Sequence, residues 1–188
     1  MAKLVLASGS PRRRELLERV GLEFTVRVPQ VEERLPEGLN PRETVETLSR
    51  IKAEAADLAA DEIGITADTM VFLDGKQLGK PVDEADALSM LTALQGRRHI
   101  VCTGVTVRQG KRLLTQSEET AVWFRSASRD ELERYVRTGE PMDKAGAYGI
   151  QSRGALLAER IEGDYANVIG LPLLRLSRML AQFGVTVL

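Results

Sequence analysis

Three groups of residues have the types and spacing to handle a phosphorylated ligand. The first is Ser8-Gly9-Ser10-Pro11-Arg12-Arg13. An apolar run over 3–7 predicts a strand, the small residues break it, and Ser10-Pro11 starts a helix as cap and first residue. Amides at a helix N-terminus point outward and the helix dipole favours an anion there. Ser8 and Ser10 add hydroxyls, and Arg12 and Arg13 add forks that match phosphate oxygens. Arginine in a first helical turn opposes the dipole unless an anion sits beside it. These residues alone leave two readings open: an anion-binding turn, or a capped surface helix with solvated arginines.

The second group is Ala67-Asp68-Thr69. The run 63–73 is otherwise apolar and predicts a largely buried strand, so Asp68 interrupts it. A buried carboxylate is costly unless paired, hydrogen-bonded or bound to a metal. Asp68 could hold a magnesium ion, activate water, or make a structural bond at a strand end. Gly79-Lys80-Pro81 and Lys52 offer ammonium groups to phosphate, and the acidic loop residues Glu32 and Glu33 could help to hold a cation. Each of these would ordinarily be solvated surface.

The third group is Asp143-Lys144-Ala145-Gly146-Ala147-Tyr148-Gly149-Ile150-Gln151. Small residues let backbone approach a ligand closely. The Gln151 amide carries a donor and an acceptor that complement the N3–H and O4 edge of uracil or thymine. A plain glycine-rich turn is the other reading of this segment.

These groups need positioning. The expected helices cover 11–20, 40–60, 83–94, 128–138 and 173–183. Asn40-Pro41-Arg42-Glu43 and Ser128-Arg129-Asp130-Glu131 are strong start signals. Strands are expected over 3–7, 23–28, 63–73, 77–78, 99–107, 112–124, 155–161 and 185–188, with Asp74-Gly75 as a hairpin turn. The glycine-rich stretch 139–154 reads as loop and short strand. Early alternation of strand and helix with hairpins in the middle predicts an α/β fold on a mixed sheet. No composition shift divides the chain, so 1–188 is expected to be a single domain.

The 188 residues carry 43% hydrophobic and 28% charged side chains and a formal net charge of −1, so no basic field suggests nucleic acid. Cys102 is the sole cysteine, which excludes an internal disulfide and suggests a reducing compartment. It reads as a core thiol, and Trp123 as packing. The opening apolar run is too short for a signal peptide or a membrane span, so a cytoplasmic location without membrane contact is expected. His99 is the sole histidine, so no histidine cluster can bind metal within one chain. Walker A, dinucleotide-binding and nucleophile-elbow patterns are absent.

Taken in order, several segments resemble the Maf family of nucleotide pyrophosphatases. They are Ser8 to Leu17, Ala67-Asp68-Thr69, Gly79-Lys80-Pro81, Gly96-Arg97-Arg98-His99, Asp143 to Gln151, and Gly163-Asp164-Tyr165 through Gly170-Leu171-Pro172. The resemblance spans nearly the whole chain. It implies a Maf or ITPase-like α/β fold, with an elongated mixed sheet flanked by helices and two lobes around a substrate cleft. It also implies a homodimer and a cut between the α and β phosphates that depends on magnesium or manganese. Carried over residue by residue, Asp68 is the catalytic proton acceptor, and Arg12, Thr69 and Gln151 tune substrate choice. Ser8, Ser10, Arg13, Lys52 and Lys80 are then expected at the phosphates, with Asp68 and Glu33 at the metal.

The form of the 143–151 segment resembles the subfamily acting on dTTP and UTP, in a nucleotide-pool house-cleaning role. The alternative from another class is a nucleotide-binding regulator of cell division, a septum formation inhibitor with little catalysis. One departure from the family pattern is Thr66, where a glycine often precedes the Ala-Asp-Thr triplet.

Overall fold

The computed structural model describes residues 3–188. Seven strands form one mixed sheet: β1 (Lys3–Leu6), β2 (Phe24–Val26), β3 (Glu62–Leu73), β4 (Lys76–Leu78), β5 (Arg98–Gln109), β6 (Arg112–Phe124) and β7 (Ala158–Glu162). Their spatial order is β2-β1-β3-β5-β6-β7, with β4 paired to the far end of β3. β1 runs parallel to both β2 and β3, and the pairings from β3 through β7 are antiparallel. The parallel pairs need helical crossovers, while β3/β4 and β5/β6 are hairpins. The expected Asp74-Gly75 turn is present, with positive φ at both residues, as a tight right-twisting hairpin requires.

Six helices accompany the sheet: α1 (Pro11–Arg19), α2 (Pro41–Ala55), α3 (Glu84–Leu94), α4 (Arg129–Val136), α5 (Tyr165–Ile169) and α6 (Leu173–Ala181). The capping box expected at Ser128 forms with Glu131, and Asn40, expected as a cap, forms a box with Glu43 as well. The main core joins Leu17 of α1, Leu91 of α3, Leu132 of α4 and Met179 of α6 to β3 and β5 residues such as Ile65 and Val105. A smaller cluster, Val45 with Phe72 and Cys102, seats α2 on the opposite face of the sheet.

Gly104 makes that seat possible. A Cβ there would lie 2.2 Å from the Val45 carbonyl oxygen, so only glycine lets α2 lie this close to β5. Thr66, the departure from the family pattern, strengthens the same contact. Its buried hydroxyl donates to the Ser49 carbonyl of α2 at 2.7 Å, inside a regular strand.

Several expected boundaries are corrected. α2 ends at Ala55 rather than Ala60, because Ala56 turns to extended backbone. Arg108 of β5 then donates to the carbonyls of Ala53, Glu54 and Ala56 at 2.7, 3.0 and 3.3 Å, a cap supplied by a distant strand. Residues 185–188 form no strand. Gly184, at φ +78°, reverses the chain after α6, and the Val185 amide closes onto the Leu180 carbonyl at 3.1 Å. The strand expected over 155–161 begins only at Ala158, since Arg153–Leu156 is a 3₁₀ turn. The short strand expected within 139–154 is absent and 3₁₀ turns take its place. α5 had no clear sequence signal beyond its cap, the Asp164 carboxylate, which accepts from Ala166 and Asn167. Among the described residues no helix is long and apolar enough to cross a membrane.

Candidate active site

The expected site residues Ser8, Ser10, Arg12, Arg13, Glu33, Lys52, Asp68, Thr69, Lys80 and Gln151 meet around one cleft of about 820 Å³, whereas Glu32 does not line it. One wall is the turn from Ser8 into α1, and the opposite wall is the segment from Asp143 to Ser152. Asp68, Thr69, Lys52, Lys80 and Glu33 all line the space between.

Asp68 lies mid-strand in β3, paired in register with Gly104, on the face covered by α2. Only 8% of it is exposed. Its Oδ1 accepts from the Lys52 ammonium, and Lys52 also pairs with Glu33 at 3.1 Å. Its Oδ2 is buried with no hydrogen-bond partner. An ionised oxygen left unpaired in a protein interior is expensive. Here it belongs to a residue that lines the cleft, where water or a cation would satisfy it.

The next residue, Thr69, faces the other side of the sheet, as strand alternation requires. There it meets Arg13. This guanidinium donates to the Gly170 carbonyl at 2.9 Å, the Ser8 hydroxyl at 3.0 Å and the Thr69 hydroxyl at 3.1 Å. Every one of these acceptors is neutral, so among the described residues the Arg13 charge has no hydrogen-bonded counterion. Burial lowers the Arg13 pKa, and the Asp68 carboxylate acts against that shift. A desolvated cation held in place by neutral acceptors is well placed to attract a phosphate.

The Ser8 to Arg13 turn departs from expectation in one detail. Ser10 occupies the cap position, but its hydroxyl makes no capping bond; its amide instead donates to the Ser8 hydroxyl at 3.3 Å. No acidic side chain occupies the first turn of α1. The first-turn amides of Arg12 and Arg13 therefore lack a capping side chain, and both residues line the cleft. Lys80 is exposed at the cleft rim.

Arg12 reaches across to the opposite wall and donates to Asp143 at 2.9 Å. Lys144 holds the other Asp143 oxygen at 2.6 Å. Although burial pushes the Asp143 pKa upward, bonds from Lys144 and Arg12 outweigh it and hold the carboxyl at about 2. Gln151, half-buried, stands on that same wall. The Gly146 amide donates to the Gly79 carbonyl at 3.0 Å, which joins this wall to the segment carrying Lys80. Gly146 sits at φ +70° against Val71, where a side chain would be both strained and crowded.

Sequence reasoning missed the frame beneath Arg13. Buried Asn167 donates to the Val101 carbonyl and the Thr120 hydroxyl, both at 3.0 Å, pinning α5 to the sheet. Thr103 donates to the Asn167 carbonyl and contacts Thr69 at 2.9 Å. The Gly170 carbonyl that receives Arg13 follows directly on α5. Asp164-Tyr165 and Gly170-Leu171 stood in the segments carrying the family resemblance, yet nothing in their residue types indicated a brace.

His99 is fully buried against Phe124 and Tyr148, with its Nε2 2.8 Å from the Tyr148 hydroxyl. Burial lowers its pKa to about 4. Unfolded histidine titrates near 6.5, so between pH 6.5 and 4 the unfolded chain binds a proton that the fold refuses. Stability therefore falls as pH drops through that window, by up to about 3 kcal/mol. Urea midpoints measured from pH 7 to 4 should show this slope in the wild type and not in His99→Gln. Carboxylates such as Glu62, which the Arg27 guanidinium holds at about 2, add their loss only below pH 4.5. Cys102 is a core thiol, as expected, and burial pushes its pKa up to about 12.

Comparison with known proteins assigns the chain to a family. The profile of the family described as Maf-like protein matches residues 3–183. The chain belongs to the Maf-like protein family. One relative, a dTTP/UTP pyrophosphatase of Symbiobacterium thermophilum, is 52% identical over 98% of this chain and 95% of its own length. Another of the same description, from Moorella thermoacetica, is 52% identical over 100% of this chain and 98% of its own length. Among solved structures, a HAM1 protein from Coxiella burnetii superposes with a TM-score of 0.55 at 16% identity, covering 97% of this chain and all of the other. The Staphylococcus aureus Ham1 protein gives 0.54 at the same identity and coverage. These likenesses extend the Maf-like fold to Ham1 proteins at the level of architecture.

Proposed function

We propose that this chain hydrolyses dTTP and UTP to the nucleoside monophosphate and pyrophosphate. The observation that carries the reading is the buried, unpartnered Oδ2 of Asp68 beside a cleft where Arg12, Arg13, Lys52 and Lys80 supply positive charge. The two relatives above, both described as acting on these nucleotides, support the substrate assignment.

In this reading the triphosphate lies against the uncapped amides of the turn at Ser8 to Arg13, with Arg13, Lys52 and Lys80 balancing its charge. Asp68 uses its free oxygen to orient and deprotonate the attacking water. Lys52 fixes the other oxygen, so the carboxylate cannot rotate away. Water attacks, the bond between the α and β phosphates breaks, and pyrophosphate leaves with the bonding electrons. Positioning and charge stabilisation supply most of the acceleration.

Asp68 and Glu33 fit a magnesium or manganese ion that draws its remaining ligands from water and phosphate, and such an ion would neutralise charge on the phosphates. Among the described residues no group of three or more His, Cys, Asp or Glu could hold a metal without substrate. Two carboxylates are enough for a cation that arrives with a nucleotide.

Gln151 reads the base edge, and Arg12, which lines the same cleft, tunes substrate choice with it. Gln151→Ala should cut the preference for UTP over GTP about tenfold, as kcat/KM ratios would show. An unchanged ratio would remove Gln151 from base recognition. The reaction itself is tested by incubating a nucleotide panel with magnesium or manganese and assaying pyrophosphate and orthophosphate separately. Pyrophosphate from dTTP and UTP, abolished by chelator, supports the reading. Orthophosphate would move the cut to the terminal phosphate, and binding without turnover would favour a regulatory role.

A further inference from the structure

Gln151 can read a base only if the backbone around it is held, and the residues that hold it lie outside the cleft. Tyr135 of α4 is 7% exposed and does not line the cleft. Its hydroxyl donates to Glu140 Oε1 at 2.9 Å and accepts from the Gly149 amide at 3.1 Å. The same Oε1 accepts from the Gly154 amide at 3.1 Å, and Oε2 accepts from the Arg153 amide at 3.2 Å. Three main-chain N–H groups, on both sides of Gln151, therefore end on one phenol–carboxylate pair.

Gly154 makes the closure possible. A Cβ there would lie 2.5 Å from the Gly149 carbonyl oxygen and 2.6 Å from the Tyr135 hydroxyl. The Glu140 carbonyl also receives Lys144 at 2.6 Å, which links the pair to Asp143 and so to Arg12. A separate surface pocket of about 340 Å³ is lined by Tyr135, Arg153, Leu156 and Leu157 among others. Tyr148 and Ile150 anchor this wall in the main core, and the hydrogen bonds to Tyr135 and Glu140 set the course of the 149–154 turn that leaves it.

We infer that Tyr135 and Glu140 are positioning residues for base recognition, holding the 149–154 turn so that Gln151 presents its amide to the base. The inference rests on the reading of Gln151 given above. The charge states of the pair suit this role. Burial raises the Tyr135 pKa and keeps the phenol a donor. Burial also pushes the Glu140 carboxyl upward, but bonds led by the Gly154 amide outweigh it and keep the group ionised.

Tyr135→Phe removes one hydroxyl and leaves the ring in the core. It should lower the UTP over GTP preference about fivefold, through a raised KM for UTP with kcat little changed. Inhibition by inorganic triphosphate, which probes only the phosphate end, should stay at the wild-type value. Glu140→Gln should act in the same direction. In the double variant with Gln151→Ala, Tyr135→Phe should add no further loss, because the side chain it positions is gone.

If Gln151→Ala lowers the preference and Tyr135→Phe does not, the positioning role is overturned and the reading of Gln151 stands. Additive losses overturn it as well, as does a parallel weakening of inorganic triphosphate, which would mark a general loss of structure. If Gln151→Ala itself leaves the preference unchanged, the reading of Gln151 fails and the inference fails with it.

Discussion

Asp68→Asn should lower kcat for UTP by about 10²-fold or more while leaving the chain folded. The amide has nearly the same shape but cannot accept a proton at neutral pH. It replaces an oxygen that is buried in β3, unbonded to protein, and directed by a lysine on its twin. The fold should tolerate the change because Lys52 keeps Glu33 as a counterion, so no ammonium is stranded. The measurement is single-turnover release of pyrophosphate, with a thermal melt on the same sample. Near-normal turnover would remove Asp68 as the base and leave it a structural partner of Lys52.

Gly104→Ala should be the most damaging small substitution in the sheet. The added carbon would lie 2.2 Å from the Val45 oxygen, 2.4 Å from its carbonyl carbon and 2.7 Å from the Glu46 nitrogen. All three atoms are helix backbone, so no rotamer relieves the clash and α2 must lift by roughly 1 Å. The lift opens the cluster of Val45, Phe72 and Cys102 and strains the Thr66–Ser49 bond.

A loss of about 3 kcal/mol follows, which lowers Tm by about 8 °C for a chain of this size. Activity should fall in the folded protein too. Lys52 rides on α2, and a misplacement of about 1 Å near the reacting groups can cost about 10²-fold. Calorimetry and steady-state kinetics on one preparation separate the two effects. A variant with wild-type Tm and turnover would mean that α2 does not bear on β5 as described.

Legibility in the sequence divided along a physical line. Elements with local signals were readable: the helix starts at Asn40 and Ser128, the Asp74-Gly75 hairpin and the apolar run of β3 each rest on residues within a few positions of one another. Boundaries set by distant partners were not. α2 stops at Ala55 because Arg108, more than fifty residues away, takes its last carbonyls, and the end of the chain forms no strand because no neighbouring strand pairs with it.

The site shows the same division. Asp68 stood out because a carboxylate in an apolar run needs a reason, and the Ser8 to Arg13 turn because arginines at a helix N-terminus oppose the dipole. The roles of Tyr135, Glu140, Asn167 and Gly104 could not be read from residue type. A tyrosine on a helix, a glutamate after a glycine and a glycine in a strand are each ordinary. Their significance lies in which backbone groups come within hydrogen-bond or contact distance of them.

The sequence by itself determined the chemistry available: a turn whose hydroxyls and arginines suit a phosphate, one carboxylate in an apolar strand, cationic side chains and an amide suited to a pyrimidine edge. Only the tertiary structure decided that Lys52 lies beside Asp68, that Arg13 is braced on Gly170 and Thr69, and that the turn bearing Gln151 closes on Tyr135 and Glu140. The reason is range. Local propensity and periodicity act over a few residues, whereas these contacts join segments up to 157 positions apart and exist only once the sheet has formed.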